Sequence, residues 1–356
     1  MAFLLFVPGA YPDEYCRGTL CALCVNVFGL LTAEPLMKLT IAIAQATPVV
    51  LDLAGCISKA CSLIAEAGRR GARLLAFPET WLPVYPLWCD AGTFGKWNHE
   101  PSKRLHARLA RNSLVIPSAD TDALCRAARD ARCAVALGAN ELGHSGSLYN
   151  TLLFISSEGE ILGKHRKLVP TFGERLVWGY GDAAGLRTYE LSGAHVAGPS
   201  ARNPRVGGLI CWEHWMPLAR HVLHTEGEQL HVAAWPHCAN DLYQLASRHY
   251  AFEGRCFVLI AAAFLRKSDL PADFELASDF SSAPDVLLDG GSAVIAPDAS
   301  YIVEPVRGRE ELLTAELDLE RIAEEKLALD TGGHYSRPDV FDLRINRTPS
   351  SPNPSS

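Results

Sequence analysis

The sequence predicts an α/β fold that combines parallel and antiparallel strands in one large domain. Between residues 38 and 345, short apolar runs alternate with segments whose apolar residues recur at the three-to-four spacing of an amphipathic helix. Some consecutive apolar runs are separated only by short turn sequences, which predicts hairpins and therefore antiparallel pairs. No break in composition divides this part of the chain, so we expect a single domain.

Each strand is predicted at a short apolar run that is bounded by turn or helix signals. The runs at 149–156 and 161–163 flank the turn sequence Ser157-Glu158-Gly159 and form a predicted hairpin. In chain order, the predicted strands are 39–44, 74–77, 133–137, 149–156, 161–163, 206–210, 231–235, 256–262, 292–296, 301–304 and 312–317.

The first predicted helix has apolar residues at Ile57, Cys61 and Ile64, and Gly71 is placed to end it. Pro217 suits the first turn of another helix, because its missing N–H would be unpaired there in any case. The remaining helices are predicted from the same spacing. With the Pro217 helix they cover 121–131, 217–226, 241–254 and a last one that Asp318 would N-cap and that runs to Leu329.

The two ends of the chain differ from the body. Residues 1–36 are apolar without a period or a basic start, and a strand pattern begins after Met37. We therefore predict an atypical, poorly ordered extension over 1–36, a domain over 37–346 and a disordered Pro- and Ser-rich tail over 347–356. Cys16, Cys21 and Cys24 suggest a zinc site, but no histidine or second cysteine pair completes it, so incidental thiols are the preferred interpretation.

Composition excludes several classes of function. The 40 Asp and Glu residues against 33 Lys and Arg give a net charge of −7, which offers no attraction to nucleic acid or to an anionic membrane. No apolar run approaches the roughly 18–20 residues of a membrane span. The 11 cysteines, an odd number in a long chain, favour reduced thiols, and with them a cytoplasmic location.

Cys211 falls between a predicted strand that ends at Ile210 and a predicted helix that begins at Pro217. Such an elbow exposes a nucleophile beside free backbone N–H groups, and a helix N-terminus lowers the pKa of a thiol. The competing interpretation is a buried, inert cysteine, which is the commoner case for a free thiol.

Two further segments carry groups that suit acid–base chemistry. Glu79 ends a strand in Leu74-Leu-Ala-Phe-Pro-Glu-Thr-Trp, where apolar neighbours would raise its pKa and make it a general base; an exposed loop glutamate is the alternative. In the basic run Lys164-His-Arg-Lys167, we expect Lys167 to point inward while its neighbours face water. Glu174 follows closely enough to return to the same pocket.

Taken together, the glutamate of Phe77-Pro-Glu79, the lysine of His165-Arg-Lys167 and the cysteine of Cys211-Trp-Glu resemble, in this order, the Glu–Lys–Cys triad of the nitrilase superfamily. Cys-Trp-Glu is closest to the nitrilase branch. Segments that begin at Ser247 and Gly333 also resemble nitrilase sequences, so the similarity runs from about residue 37 to 346.

The resemblance implies a four-layer αββα sandwich and self-association into dimers that extend to spirals. It further implies that Cys211 is the nucleophile, that Glu79 is the base and that Lys167, supported by Glu174, stabilises the tetrahedral intermediate. No metal or organic cofactor is implied. The implied reaction converts an organic nitrile to the carboxylic acid and ammonia through a thioimidate and a thioester.

Aromatic residues near the three motifs favour an aromatic or arylaliphatic nitrile, although core packing is an equal alternative for each of them. The predicted substrate-binding residues are Trp81, Trp178, Trp212 and His237. The competing functions are an amidase or carbamoylase, a cyanide-hydrolysing enzyme and a non-catalytic protein of the same fold.

Overall fold

Two mixed β-sheets pack face to face in the computed structural model, which describes residues 38–90, 92–193 and 203–349. In the first sheet, the strands lie in the order β13–β1–β2–β3–β4–β5. Their bounds are β1 Lys38–Gln45, β2 Leu74–Ala76, β3 Ala134–Leu142, β4 Leu148–Ile155, β5 Ile161–Arg166 and β13 Glu311–Asp318. Strands β1, β2 and β3 are parallel, and the other pairs are antiparallel.

The second sheet has the order β10–β11–β9–β8–β7–β6, and β12 pairs with β11. Strands β7, β8 and β9 are parallel at its centre. The bounds are β6 Tyr189–Glu190, β7 Arg205–Ile210, β8 Leu230–Trp235, β9 Phe257–Ala262, β10 Phe264–Arg266, β11 Val286–Ile295 and β12 Tyr301–Arg307.

Helices cover the outer face of each sheet. In β1, Leu39 and Ile41 belong to the core between the sheets, whereas the alternate residues Ala42 and Ala44 pack toward two helices, α1 (Leu53–Arg69) and α3 (Ala119–Ala131). Helices α4 and α5 lie on the other sheet, so the layers are αββα, as predicted. The helices are α1 Leu53–Arg69, α2 Glu100–Arg111, α3 Ala119–Ala131, α4 Pro217–Thr225, α5 Asp241–Gly254 and α6 Glu320–Lys326.

Most predicted elements are present, and the differences have local causes. Helix α2 was not predicted, because its largely polar sequence buries only Ser102, Leu105 and Leu109. The last helix is shorter than predicted, because it ends at Lys326. Its N-cap is Leu319 and not the predicted Asp318, whose side chain still accepts a hydrogen bond from the Glu320 N–H at 3.1 Å. None of the described helices is long and apolar enough to cross a membrane.

The predictions for the chain ends fall largely outside the described residues. They concern the extension over 1–36, its three cysteines and the tail from residue 350 onward. Strand β1 begins at Lys38, the first described residue.

Candidate active site

Cys211 lies at the elbow that the sequence predicts. Strand β7 ends at Ile210, a short 3₁₀ turn covers Cys211–Trp215, and α4 begins at Pro217. The backbone of Cys211 has φ +55°, a left-handed conformation that non-glycine residues adopt rarely and mostly under structural constraint. The constraint therefore comes from the contacts around the turn.

The expected lowering of the Cys211 pKa was wrong. Burial raises the pKa of the thiol well above its ordinary value, and the negative charges of Glu79 and Glu174 raise it further. Lys167 and a hydrogen bond from the Trp212 backbone N–H act in the opposite direction but do not outweigh burial. The Cys211 thiol is therefore neutral at rest, and it would need a base beside it to act as a nucleophile.

Glu79 provides a carboxylate next to that thiol. It is buried, and its Oε1 accepts hydrogen bonds from Asn150 Nδ2 at 2.6 Å and from Lys167 Nζ at 2.9 Å. Its Oε2 has no hydrogen-bond partner among the described residues. Burial raises the pKa of Glu79 to about 7, despite the opposing charge of Lys167, as the sequence predicted in direction.

The backbone beside Glu79 requires a glycine in the neighbouring strand. A Cβ on Gly138 would lie 1.9 Å from the carbonyl oxygen of Pro78. Glycine at this position therefore lets strand β3 approach the loop that carries Glu79. Across the sandwich, the Glu79 N–H donates to Trp235 O at 3.3 Å and ties this loop to the second sheet.

Lys167 is buried directly after β5, as predicted, and it joins the two carboxylates. Its Nζ lies 2.9 Å from Glu79 Oε1 and 2.6 Å from Glu174 Oε2. Burial alone would lower its pKa, but Glu79, Cys211 and Glu174 raise it, so the ammonium form is favoured. The expectation that its neighbours face water was wrong for His165, which is also buried.

Glu174 lies in a 3₁₀ turn, Phe172–Leu176, and is held from three sides. Besides Lys167, it accepts hydrogen bonds from the Tyr85 hydroxyl at 2.9 Å and from the Thr171 N–H at 2.7 Å. The sequence placed Glu174 near the pocket, but Tyr85 and Asn150 were missed as partners, since nothing local marks either of them.

Glu213 joins the elbow to the lysine segment, a function that sequence reasoning also missed. Its two carboxylate oxygens each accept a backbone N–H at 2.8 Å, one from Ile210 and one from Leu168. These donors are the residues next to Cys211 and Lys167. Glu213 also contacts His165 Nε2, and although burial would raise its pKa, these groups lower it. Glu213 thereby fixes the backbone next to Cys211 relative to the backbone next to Lys167.

The site could offer ligands to a metal ion, but its charge opposes one. Glu79, Glu174 and Cys211 place one ligand atom each within 4.8 Å of one another. The Lys167 ammonium already lies within hydrogen-bonding distance of both carboxylates. A cation would have to displace it or to tolerate its repulsion.

A cavity of about 390 Å³ opens beside Cys211. Cys211 and Glu174 line it, while Glu79 and Lys167 lie buried behind them. Of the predicted substrate-binding residues, Trp212 and His237 line the cavity. The other lining residues are Tyr85, Leu87, Asp90, Thr171, Phe172, Pro236, Tyr243, Phe280, Pro284, Leu287 and Leu288.

Trp81 and Trp178 are not among the residues that line this cavity. Trp81 packs in the core between the first sheet and its helices, and its indole N–H donates to Ala46 O at 2.7 Å. The Trp178 indole donates to Asn140 at 2.8 Å, and its ring centre is 5.9 Å from Lys167 Nζ. Their predicted substrate contacts are therefore corrected to core packing for Trp81 and to support of Lys167 for Trp178.

Residues 40–326 match the family model described as carbon-nitrogen hydrolase. The chain belongs to the carbon-nitrogen hydrolase family. It is 44% identical over 313 residues to "Nitrilase 2" of an unknown prokaryotic organism, which covers 87% of this chain and 93% of that protein.

Two other relatives have names that specify a class of nitrile. An aliphatic nitrilase of Rhodococcus rhodochrous is 37% identical, over 88% of this chain and 81% of its own. An arylacetonitrilase of Hypocrea virens is 35% identical, over 86% of this chain and 91% of its own.

Among solved structures, Saccharomyces cerevisiae Nit3, of the nitrilase superfamily, matches with a TM-score of 0.64 and 17% identity. The match covers 87% of this chain and 99% of that one, and at this identity it supports the fold. The predicted αββα sandwich and the predicted membership of the nitrilase superfamily are thus both confirmed, and this carbon-nitrogen hydrolase is an enzyme of the nitrilase type.

Proposed function

We propose that this enzyme hydrolyses an organic nitrile to the carboxylic acid and ammonia, with Cys211 as the nucleophile. The observation that carries the proposal is the close grouping of Cys211, Glu79 and Glu174 around the ammonium of Lys167, at the wall of an open cavity. Together these four groups supply what a weakly polarised nitrile carbon needs: a sulfur nucleophile, a base and a source of protons.

In the first step, Cys211 Sγ attacks the nitrile carbon while its proton passes to Glu79. The raised pKa of the thiol makes this transfer necessary, and the raised pKa of Glu79 makes it feasible near neutral pH. The C–S bond forms as one π bond of the nitrile breaks, and the nitrogen takes the proton back from Glu79. The product is a thioimidate.

In the second step, Glu79 removes a proton from water, and the hydroxide adds to the thioimidate carbon. Lys167 and the Trp212 N–H stabilise the charge of the tetrahedral intermediate. An ammonium has three N–H donors, and Glu79 and Glu174 take two of those of Lys167. Glu79 returns the water proton to the imine nitrogen, and the hydroxyl proton of the intermediate then passes through Glu79 to the amine, so that the C–N bond breaks with loss of ammonia as the thioester C=O forms. A second water, deprotonated by Glu79, adds to the thioester carbon, and the C–S bond breaks to release the acid while the sulfur takes the proton back as a thiol.

The cavity supports an aromatic or arylaliphatic substrate. Five Phe, Tyr and Trp side chains contribute to its wall, namely Tyr85, Phe172, Trp212, Tyr243 and Phe280. A volume of about 390 Å³ greatly exceeds what hydrogen cyanide needs, which disfavours a cyanide-hydrolysing role. We expect kcat/KM for phenylacetonitrile to exceed that for butyronitrile, and the reverse order would contradict this preference.

The decisive experiment measures ammonia and acid from phenylacetonitrile and from phenylacetamide. We expect the nitrile to be consumed and Cys211→Ala to lose turnover by at least about 10⁴-fold, as for other removed nucleophiles. Cys61→Ala is the matched control, because Cys61 is a partly exposed thiol on α1. Turnover of the amide with an inert nitrile would identify an amidase instead.

We also propose that the enzyme forms homo-oligomers. Large apolar side chains are exposed on neighbouring helices of one outer layer, namely Leu218 on α4 and Leu242, Leu245 and Phe252 on α5. An exposed apolar face of this kind is typical of a protein interface. Light scattering should give at least a dimer, and Leu218→Asp combined with Leu245→Asp should lower the mass; a monomeric wild type would contradict the proposal.

A further inference from the structure

A buried chain of hydrogen-bonded side chains, which the mechanism above does not use, ends at the backbone carbonyl of Cys211. His214 Nδ1 lies 2.6 Å from the carbonyl oxygen of Cys211, and His214 Nε2 lies 3.0 Å from His231 Nε2. His231 Nδ1 lies 2.8 Å from Glu228 Oε1. All three side chains are buried, and none is among the residues that line the cavity.

The carbonyl oxygen determines the direction of every hydrogen bond in this chain. A carbonyl only accepts, so His214 Nδ1 must carry a proton and donate it to Cys211 O. A neutral His214 then has a bare Nε2, which accepts from His231 Nε2–H. His231 Nδ1 in turn accepts from a protonated Glu228, or it shares that same proton as an ion pair.

The environment favours the neutral arrangement. Burial raises the pKa of Glu228 to about 8, and burial lowers the pKa of His214 to about 3 and that of His231 well below its ordinary value. The charged and titratable groups around these three side chains are Glu213, Arg220, His224, Glu226, Tyr250, Glu253 and Cys256.

Aromatic stacking holds the two imidazole rings in place. His214 stacks on Trp235 with ring centres 5.1 Å apart and an interplanar angle of 21°. His231 stacks on Tyr250 at 3.6 Å and 26°. Because neither ring is free to turn, the His214 donor stays aimed at the elbow carbonyl.

The orientation of that carbonyl sets the orientation of the next N–H. The peptide bond between Cys211 and Trp212 is trans, so its C=O and N–H point in opposite directions. A carbonyl held by His214 therefore turns the Trp212 N–H away from the histidines and toward the thiol, to which it donates. A hydrogen bond to the carbonyl also polarises the peptide and strengthens its N–H as a donor.

We propose that Glu228, His231 and His214 are positioning residues that fix the Cys211–Trp212 peptide, so that the Trp212 N–H stabilises the developing negative charge of the reaction. The proposal rests on the proposed function, in which Cys211 is the nucleophile. It assigns the histidine of Cys-Trp-Glu-His a purpose distinct from that of the preceding glutamate, which holds the backbone on the other side of the elbow.

Two amide substitutions of His214 test the proposal with matched polarity. Asparagine places an N–H near the position of Nδ1, whereas glutamine places one near Nε2. We expect His214→Asn to keep kcat within about fivefold and His214→Gln to lower it by about 10- to 100-fold, below the 10²–10³ typical of a deleted oxyanion donor. KM should stay within about threefold in both. Equal kcat values in the two variants would overturn the proposal.

The His231 link is tested by a double-mutant cycle. His231→Asn removes the donor to His214 and should lower kcat by about fivefold in the wild type but not further in the His214→Asn background, because the link is already absent there. Equal effects in both backgrounds would show independent structural damage. His224→Asn is the control: this buried histidine packs on Tyr250 at 4.6 Å, and a loss as large as that of His214→Gln would also contradict the proposal.

Failure of this proposal differs measurably from failure of the proposed function. If Cys211→Ala abolishes nitrile turnover but the two His214 variants are equal, only the positioning chain is wrong. If the wild type does not consume nitriles, the proposed function is wrong. The rate of Cys211 alkylation by iodoacetamide then still tests the chain, since it should be slower in His214→Gln than in His214→Asn.

Discussion

On each side of strand β5, a buried glutamate contacts lysine or arginine side chains, but the pKa of one glutamate is lowered and the pKa of the other is raised. Because side chains alternate along a strand, Lys164 and Arg166 lie on one side and contact Glu141, while Lys167 continues the other side and contacts Glu79. Both glutamates are about 1% exposed. They differ in how many cations each has and in how many of its oxygens are occupied.

Glu141 contacts two cations. It accepts from Lys164 Nζ at 2.6 Å, from Arg166 Nε at 2.9 Å and Nη2 at 2.6 Å, and from Thr151 Oγ1 at 2.7 Å. Burial alone would raise its pKa, but Arg166 and Lys164 lower it below the ordinary value. A carboxylate satisfied in this way joins β3, β4 and β5 and has no capacity left for chemistry.

Glu79 shares one cation with a second carboxylate. Lys167 donates to both Glu79 and Glu174, and burial raises the pKa of Glu79 to about 7. One Glu79 oxygen has no partner among the described residues. An incompletely neutralised carboxylate beside a cavity is therefore suited to proton transfer, whereas a fully neutralised one stabilises the fold.

Replacement of the two lysines should separate these roles most strongly. We expect Lys167→Met to lower kcat by about 10³- to 10⁴-fold, because the charge that stabilises the tetrahedral intermediate is lost. Lys164→Met should keep kcat within about threefold and lower only the midpoint of urea unfolding. Similar losses of kcat in the two variants would refute the distinction.

The paired glutamates give the next largest effect. Glu79→Gln should lower kcat by about 10³-fold through loss of the base. Glu141→Gln should instead cost about 3–5 kcal/mol of unfolding free energy, because two cations lose their shared partner. Steady-state kinetics and urea unfolding of both variants check this prediction, and it fails if Glu141→Gln loses activity while its stability is unchanged.

Acidification should affect the two carboxylates in separate pH ranges. Glu79 is a base only when ionised, so kcat/KM should fall by about tenfold per unit as the pH drops below about 7. The folded pKa of Glu141 is lowered, so its contribution to stability is present above its unfolded value of about 4.3 and is lost as the pH falls through the folded value. Between about pH 5 and 7 the enzyme should lose activity reversibly while its circular dichroism is constant. Unfolding in that range would contradict the assignment.

The smallest expected effect is that of Arg166→Lys. The guanidinium donates through two nitrogens to Glu141 and lies 3.8 Å from the centre of the Tyr149 ring. A lysine keeps the charge but loses the paired geometry, so we expect a stability loss of about 1–2 kcal/mol and an unchanged kcat. A tenfold lower kcat would indicate that this side of β5 also serves catalysis.

Much of the fold and of the candidate site could be predicted from the sequence. Apolar runs and helical spacing are local signals, and they identified the strand before Cys211 and the helix that begins at Pro217. The Glu79, Lys167 and Cys211 segments were identified from their order and flanking residues. Helix α2 escaped prediction because only three of its residues are buried, and such a helix carries little periodic signal.

The sequence by itself determined the alternation of strands and helices and the elbow at Cys211, because each depends on neighbours within a few positions. The αββα layers and the candidate reacting groups were predicted from the resemblance of three ordered motifs to the nitrilase superfamily. Only the tertiary structure decided which partner each charge meets: Asn150 on Glu79, Tyr85 on Glu174, and Glu213 between Ile210 and Leu168. Those contacts join residues 3 to 89 positions apart. Burial and pairing across such distances set the pKa of each group, and so the direction of the Cys211 shift could not be obtained from its local sequence.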